Sequence, residues 1–251
     1  MRSIGRRQVV VAAILLIAAQ FVVYSPALNH SFLKYDDDVY VYENKNVQML
    51  NAQTVSWMFA HPYYRSYTPL PLLSHAIDYS LWKDNPWGHH LTAVILHSGV
   101  VVLMFLLAIL VLPLALKDRG DGSARAGTLF QQNPRGSMFV GAFIAAALYS
   151  LHPVRVESVA WVSDRKDLLV ALFVLPCIMA YLKYDRVRGA RQAIWWFLLA
   201  LGCYTLAVLS KSIATVAPLL LIALDGLLLH RGERGAPGMH PVGASAPLWD
   251  W

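Results

Sequence analysis

Long apolar blocks separated by polar connections run along most of the chain. The blocks approach the roughly 20 residues that a helix needs to cross a bilayer. The pattern therefore predicts an all-α integral membrane protein, with a membrane domain over residues 1–230. Its six transmembrane helices are predicted at about 8–24, 89–112, 137–151, 168–183, 193–210 and 213–229. The third is short and needs flanking residues or a thinned bilayer.

The longest connection, residues 25–88, carries its own helical pattern. Leu70, Leu73, Ile77 and Leu81 recur at helical spacing, which is typical of short helices lying on a membrane surface. A small subdomain packed on itself is the less favoured alternative, because so short a segment makes a poor independent core. The Gly-rich connection 113–136 and the tail 231–251 are predicted to be mobile and disordered.

Composition excludes an ordinary soluble domain. Hydrophobic residues make up 57% of the chain and charged residues only 14%, with a mean hydropathy of +0.46. The net charge of +6 could indicate nucleic acid, but the basic residues gather between the apolar blocks, so no nucleic-acid partner is predicted. Cys177 and Cys203 lie within apolar blocks and are interpreted as small buried hydrophobes.

The distribution of basic residues predicts the orientation. Of the 21 Lys and Arg residues, 13 lie on the side of the N-terminus and tail, which places that side in the cytoplasm. The loop 25–88 and the stretch 152–167 then face outward from a bacterial inner membrane or an equivalent membrane. A cleaved signal peptide is the alternative for the first block, but "YSPALNH" is a poor cleavage site.

Three adjacent carboxylates, Asp36, Asp37 and Asp38, follow the first block in "KYDDDVYVYEN". They could form a solvated turn, or they could bind a divalent cation, although the loop lacks the ligand spacing of an EF-hand. They could also serve catalysis, since neighbouring carboxylates differ in proton affinity. One would then accept a proton from an attacking hydroxyl. Their position at the predicted outer surface favours catalysis.

The second outer stretch, "HPVRVESVAWVSDRKD", offers complementary charges. It contains His152, Arg155, Glu157, Arg165 and Lys166. Arg and Lys beside a membrane helix can hold a lipid phosphate, Arg in bidentate fashion. Each alone could be an interfacial anchor, but the stretch also holds acids and a Trp, which anchoring does not require.

A lysine and a group of histidines complete the candidates. Lys211, in a tight turn between two apolar blocks, either extends to the outer surface or faces a phosphate. His89, His90 and His97 begin the second block, and His90 shares a face with His97. Ordinary interhelical hydrogen bonding is favoured over metal binding for them.

Four motifs resemble one known family. They are "FLKYDDDVYVYEN", "YTPLPLLSHAIDYSLW…NPWGHHLTAVILH", "LHPVRVESVAWVSDRKDLL" and "LSKSIATVAPLLLIALD". They are similar to the membrane half of the transmembrane-and-TPR O-mannosyltransferase-like proteins, within the GT-C class of glycosyltransferases. The resemblance runs from about residue 8 to residue 230, in order.

The resemblance implies a partial GT-C fold and a specific chemistry. Such enzymes move a sugar, with mannose as the candidate here, from polyprenyl phosphate to a protein or glycan hydroxyl on the non-cytoplasmic face. An acidic pair in the first outer loop activates the acceptor, and Asp36 and Asp37 match that pair, with Asp36 as the base. Arg165 and Lys166 match the family's basic pair, which its chemistry assigns to the lipid phosphate.

The chain departs from the family pattern in two ways, and these leave other functions open. The family usually has an acid after the lysine at position 211, where this chain has Ser212. GT-C enzymes also have more membrane helices than this chain, so an N-terminal fragment or a frameshifted product is expected. A non-catalytic membrane scaffold is the rival hypothesis. A transporter ranks below both, because no pair of broken helices marks a midplane site.

Overall fold

The computed structural model describes residues 5–64, 66–116, 134–187 and 189–226. Within these residues no β-strand forms, and a single bridge joins Tyr63 and Ser66. The α-helices are α1 Arg6–Val23, α2 Lys45–Gln48, α3 Ala52–Ala60, α4 Pro69–Trp82, α5 Pro86–Leu116, α6 Pro134–Ser150, α7 Arg155–Ala160, α8 Arg165–Arg186, α9 Ala193–Ser210 and α10 Ala217–Leu224. The predicted all-α class is confirmed.

Among the described residues, four segments are long and apolar enough to cross a bilayer: Arg6–Val23, Pro86–Ala115, Val162–Arg186 and Ala193–Ser210. They confirm a membrane protein and coincide with four of the six predicted spans. The other two predicted spans correspond to α6, which has 17 residues, and to the shorter apolar segment Ser212–Leu224. Six spans therefore stay a prediction.

Some predictions fall outside the described residues. These are the disordered tail 231–251, the last residues of the sixth predicted span, and most of the connection 113–136. The first residues of that connection are helical, because α5 continues to Leu116.

The first membrane helices pack through small side chains. Ala142 and Ala146 of α6 are one helical turn apart and lie buried against Leu16 of α1 and Phe105 of α5. Inside a bilayer the hydrophobic effect does not drive helices together, and small residues stabilise their packing by letting the helices approach closely. Large apolar side chains elsewhere on these helices are exposed, such as Ile14, which suits contact with lipid tails.

The long connection packs on itself more than its pattern predicted. Val47, Met58, Leu72 and Ala76 form one buried cluster. Val162, from the second outer stretch, completes it. These contacts match the alternative of a small packed subdomain. The loop forms this core because the stretch 152–167 contributes apolar surface to it.

The apolar stripe of α4 divides between this cluster and the outside. Leu73 packs against the buried cluster, whereas Ile77 and Leu81 are exposed. Those two side chains remain available to a membrane surface, as the helical pattern predicted.

A close approach fixes the turn between α4 and α5. A Cβ atom at Gly88 would lie 2.1 Å from ring atoms of Trp82. Any larger residue would push the ring away, so Gly88 allows α4 to fold back against the start of α5. This contact brings Asp78 of α4 beside His89 of α5.

Candidate active site

Asp37 joins the two outer stretches. Its side chain is fully buried, and one carboxylate oxygen accepts hydrogen bonds from the backbone N–H of Ser163 at 2.9 Å and from its hydroxyl at 2.5 Å. The other oxygen accepts from the backbone N–H of Leu33 at 2.9 Å. Because residues 37 and 163 are 126 positions apart, this contact assembles one site from distant parts of the chain.

Asp36 and Asp38 are more accessible. Both are half-buried. One Asp38 carboxylate oxygen accepts from the backbone N–H of Val39 at 2.8 Å. The side chain of Asp36 has no hydrogen-bond partner within the described part of the chain, and its charge acts on Tyr40. Burial raises the pKa of the Tyr40 phenol, and the negative charge of Asp36 adds to that rise. Asp36 and Asp38 are thus the accessible members of the run, and Asp36 is the one whose carboxylate is bound to no other group of the described residues.

Arg165 is held inside the protein. Its side chain has no exposed surface, and Nη2 lies 2.5 Å from Oδ2 of Asp78. The same Nη2 donates to the carbonyl of His89 at 2.9 Å, and Nη1 donates to the hydroxyl of Ser74 at 3.1 Å. Thr92 donates to the other Asp78 oxygen at 2.8 Å. The guanidinium predicted to hold a lipid phosphate is thus bound to protein atoms of α4 and α5.

The remaining basic candidates differ in their surroundings. Lys211 forms an ion pair with Asp167, and its Nζ also lies 3.9 Å from Asp164. Lys166 and Arg155 have no carboxylate partner in the described residues. The Nζ of Lys166 lies 5.8 Å from the ring centroid of Tyr40, and the guanidinium of Arg155 lies 5.2 Å from that of Tyr149.

Residues 163–167 are the centre of this arrangement. Ser163 holds the aspartate run, Arg165 holds α4 and the start of α5, and Lys166 lies over Tyr40. The two acids in the same run hold Lys211. Residues 163–167 therefore contact the aspartate run, α4, the start of α5 and Lys211.

The other predicted residues differ in their exposure. His152 is exposed, and its Nδ1 lies 3.3 Å from the backbone N of Val154. His90 is buried, with its ring centroid 6.2 Å from that of His30. Glu157 is exposed on α7. No three His, Cys, Asp or Glu side chains of the described residues converge to hold a metal ion.

Sequence reasoning missed the partners of Arg165. Ser74 and Asp78 are one helical turn apart on a largely apolar helix, and both contact the guanidinium. This polar pair at i, i+4 spacing is the signal that could have identified α4 as the receiver of a buried cation. Ser163 carried no comparable signal, because serine is common in turns.

A cavity of about 580 Å³ opens beside the aspartate run. Its walls come from residues 29–33 and from α7 with the following Trp161. Leu33, which lines it, is the residue whose N–H binds Asp37. Small-molecule sites commonly have volumes of roughly 300–1,000 Å³, so the cavity is large enough for a ligand.

His75 of α4 lies fully buried next to this ionic network. Burial, with the nearby charges of Arg165, His89 and Lys166, holds the pKa of its imidazole well below the usual range. Neither ring nitrogen has a hydrogen-bond partner in the described residues. The folded protein therefore keeps this imidazole neutral.

Acidification is expected to destabilise the fold through His75. Below a pH of about 6.5 this imidazole binds a proton in the unfolded chain but stays neutral in the folded chain. The free energy of unfolding then falls by up to about 1.4 kcal/mol per pH unit from this group. Unfolding measured from pH 8 to pH 5 should show a shallower slope for His75→Gln than for the original chain. Equal slopes would contradict the prediction.

Curated proteins with similar sequences identify the family. The chain is 31% identical over 189 residues to protein O-mannosyl-transferase TMTC4 of Homo sapiens, covering 70% of this chain and 24% of that protein. It is 27% identical over 169 residues to protein O-mannosyl-transferase TMTC2 of Homo sapiens, covering 67% and 17%. Over 148 residues it is 28% identical to protein O-mannosyl-transferase Tmtc3 of Drosophila melanogaster, covering 59% and 15%.

The chain thus spans about a quarter or less of the length of the curated relatives it matches. No family model and no solved structure matches it. The resemblance drawn from the four motifs is confirmed by these relatives, and the chain is a relative of the O-mannosyltransferase-like protein family.

Proposed function

We propose that the chain acts in a glycosyltransferase that moves a sugar, with mannose as the first candidate, from polyprenyl phosphate to a protein hydroxyl on the non-cytoplasmic face. The observation that carries the proposal is the contact of Asp37 with Ser163. It holds a partly accessible carboxylate, Asp36, beside a cavity at the end of apolar helices. The printed names of the relatives support the same reaction class.

Each aspartate has a different role in this proposal. Asp36 accepts the proton of the acceptor hydroxyl, whose oxygen attacks the anomeric carbon of the sugar. Asp37 fixes the loop that carries Asp36, because its own oxygens are occupied by Ser163 and Leu33. Asp38 is a further acid whose carboxylate already caps Val39. The proposed reaction needs no metal ion, although a divalent cation could bind the accessible carboxylates.

The leaving group is a lipid phosphate that carries negative charge. As the bond from the anomeric carbon to the phosphate oxygen breaks, a nearby cation stabilises that charge. Lys166 and Arg155 suit this role, because neither has a carboxylate partner among the described residues. Arg165 and Lys211 are already paired with Asp78 and Asp167, so we assign them to holding the site in shape.

The direct test is titration of a polyprenyl-phosphate-linked mannose into the purified chain, followed by addition of a Ser- and Thr-containing peptide. Saturable donor binding and release of polyprenyl phosphate are expected. A non-catalytic scaffold would neither bind the donor nor release the lipid. Absence of both signals would therefore favour the scaffold over the transferase.

The proposal requires the aspartates to face away from the cytoplasm. Single cysteines at Lys45 and Ala190, both at exposed positions, can be introduced after Cys177 and Cys203 are replaced by alanine. With an impermeant thiol reagent on intact cells, we expect labelling at position 45 and protection at position 190, because Lys and Arg are in excess on the side of residue 190. The reverse pattern would exclude the proposed polyprenyl-phosphate reaction.

A further inference from the structure

The cavity beside the aspartate run has a chemically mixed lining. Asn29, His30 and Ser31 lie on one wall, and Glu157 and Trp161 lie on the other. The mechanism proposed above uses none of these side chains. An exposed carboxylate, an amide, a hydroxyl, an imidazole and an indole in one cavity are more than a lipid-facing surface needs.

The lining limits the class of ligand. No Lys or Arg of the described residues lines the cavity, and the carboxylate of Glu157 would repel a second anion, so a phosphate is a poor occupant. A purely apolar ligand is also unsuitable, because it would cover Glu157, Asn29 and His30 without offering them hydrogen bonds. A neutral molecule with many hydroxyl groups remains.

The indole adds a requirement for a flat apolar surface. Trp161 combines a large apolar ring with one polar N–H. Its indole is partly exposed and lines the cavity. A sugar ring carries both an apolar C–H face and hydroxyls, so it can cover the indole and also bind the carboxylate.

The cavity is connected to the aspartates by three contacts. Leu33 lines the cavity and donates to Asp37 at 2.9 Å. The ring of Tyr35, next to Asp36, lies 5.6 Å from the ring of Trp161. Ser163, two residues after Trp161, holds the Asp37 carboxylate. A ligand in the cavity would therefore lie near the proposed base.

We infer that this cavity binds the pyranose ring of a neutral sugar, an inference that rests on the proposed glycosyl transfer for its role. Trp161 packs against the C–H face of the ring. Glu157 accepts hydrogen bonds from its hydroxyls and so selects among sugars by the positions of those hydroxyls. The pocket thus holds the sugar ring near Asp36, with its anomeric carbon and the lipid phosphate bonded to that carbon directed out of the cavity toward the acceptor hydroxyl.

The test is saturation-transfer-difference NMR with methyl α-D-mannopyranoside, methyl α-D-glucopyranoside and methyl α-D-galactopyranoside on the full chain in nanodiscs. We expect saturation transfer to at least one pyranoside. Glu157→Gln should weaken that binding by about tenfold or more, as expected for a lost hydrogen bond to a charged group. Trp161→Phe, which keeps an aromatic ring, should weaken it less than Trp161→Leu.

Glu43→Gln is the matched control, because Glu43 is an exposed glutamate of the same outer loop that does not line the cavity. It should leave binding unchanged. Circular dichroism of each variant checks folding, and the exposed position of Glu157 makes Glu157→Gln the safest variant for the fold.

The outcomes separate this inference from the proposed function. No signal from any pyranoside would overturn it, and so would binding that persists in both Glu157→Gln and Trp161→Leu. The assay contains no lipid donor and no acceptor. Binding without sugar transfer would therefore contradict only the proposed function, and transfer without pyranoside binding would contradict only this inference.

Discussion

Replacing Arg165 with methionine is expected to lower the free energy of unfolding by about 3–5 kcal/mol. The substitution removes a buried cation and leaves the Asp78 carboxylate, which lies 2.5 Å from it, without its partner. It also leaves the carbonyl of His89 and the hydroxyl of Ser74 without donors. Unfolding can be measured in mixed detergent micelles titrated with sodium dodecyl sulfate, with helix content read by circular dichroism.

A double substitution tests the physical reason for this loss. Removing both charges, as in Arg165→Met with Asp78→Leu, should destabilise less than the two single changes added together, because no buried charge is left unpaired. Additive losses would mean that the ion pair itself contributes little.

Lys166→Met is the matched control for Arg165→Met. Lys166 is the next residue along the chain and is also basic, but it is only half-buried and lies over the ring of Tyr40. Its loss should cost no more than about 1 kcal/mol. Equal effects of the two substitutions would contradict the special role of the buried guanidinium.

The membrane helices could be predicted because each carries its own signal. A block such as Pro86–Ala115 is long and strongly apolar on average, and no other part of the chain is needed to recognise it. The predicted span 137–151 likewise lies close to α6. The local sequence was sufficient to predict a helix wherever the segment itself is strongly apolar.

The packing of the outer loop could not be predicted in the same way. Whether the loop forms a core depends on Val162, which lies far along the chain and packs against Met58 and Leu72. A pattern read within the loop contains no information about that distant side chain. The length of the loop alone therefore underestimates its core, because that core includes a residue from another stretch.

The candidate site shows the same limit. Charge and position placed Arg165 at the predicted outer surface, but its burial and its partner Asp78 depend on how α4 folds back on α5. The aspartate run was recognised because three adjacent carboxylates are unusual, yet its division into one buried and two accessible members depends on the contact with Ser163. Long-range contacts decide which of several identical residues is available for chemistry.

Asp37→Asn is expected to destabilise the protein by about 1–3 kcal/mol. Both carboxylate oxygens of Asp37 accept from backbone N–H groups, Ser163 on one side and Leu33 on the other. An asparagine amide has one oxygen and one nitrogen, so either orientation sets a donor against a donor. The same micelle titration measures the loss, and an unchanged stability would contradict the anchoring role.

Asp36→Asn is expected to have the opposite profile. The change keeps the size of a half-buried side chain that has no hydrogen-bond partner within the described residues, so stability should be preserved. Sugar transfer from polyprenyl phosphate to peptide, measured with the full chain in proteoliposomes, should fall by on the order of 10²-fold or more, because the general base is removed. Donor binding should remain, since the base acts on the acceptor hydroxyl.

Transfer that survives in Asp36→Asn but is lost in Asp38→Asn would move the base to Asp38. Transfer that survives in all three single variants would end the catalytic interpretation of the aspartate run.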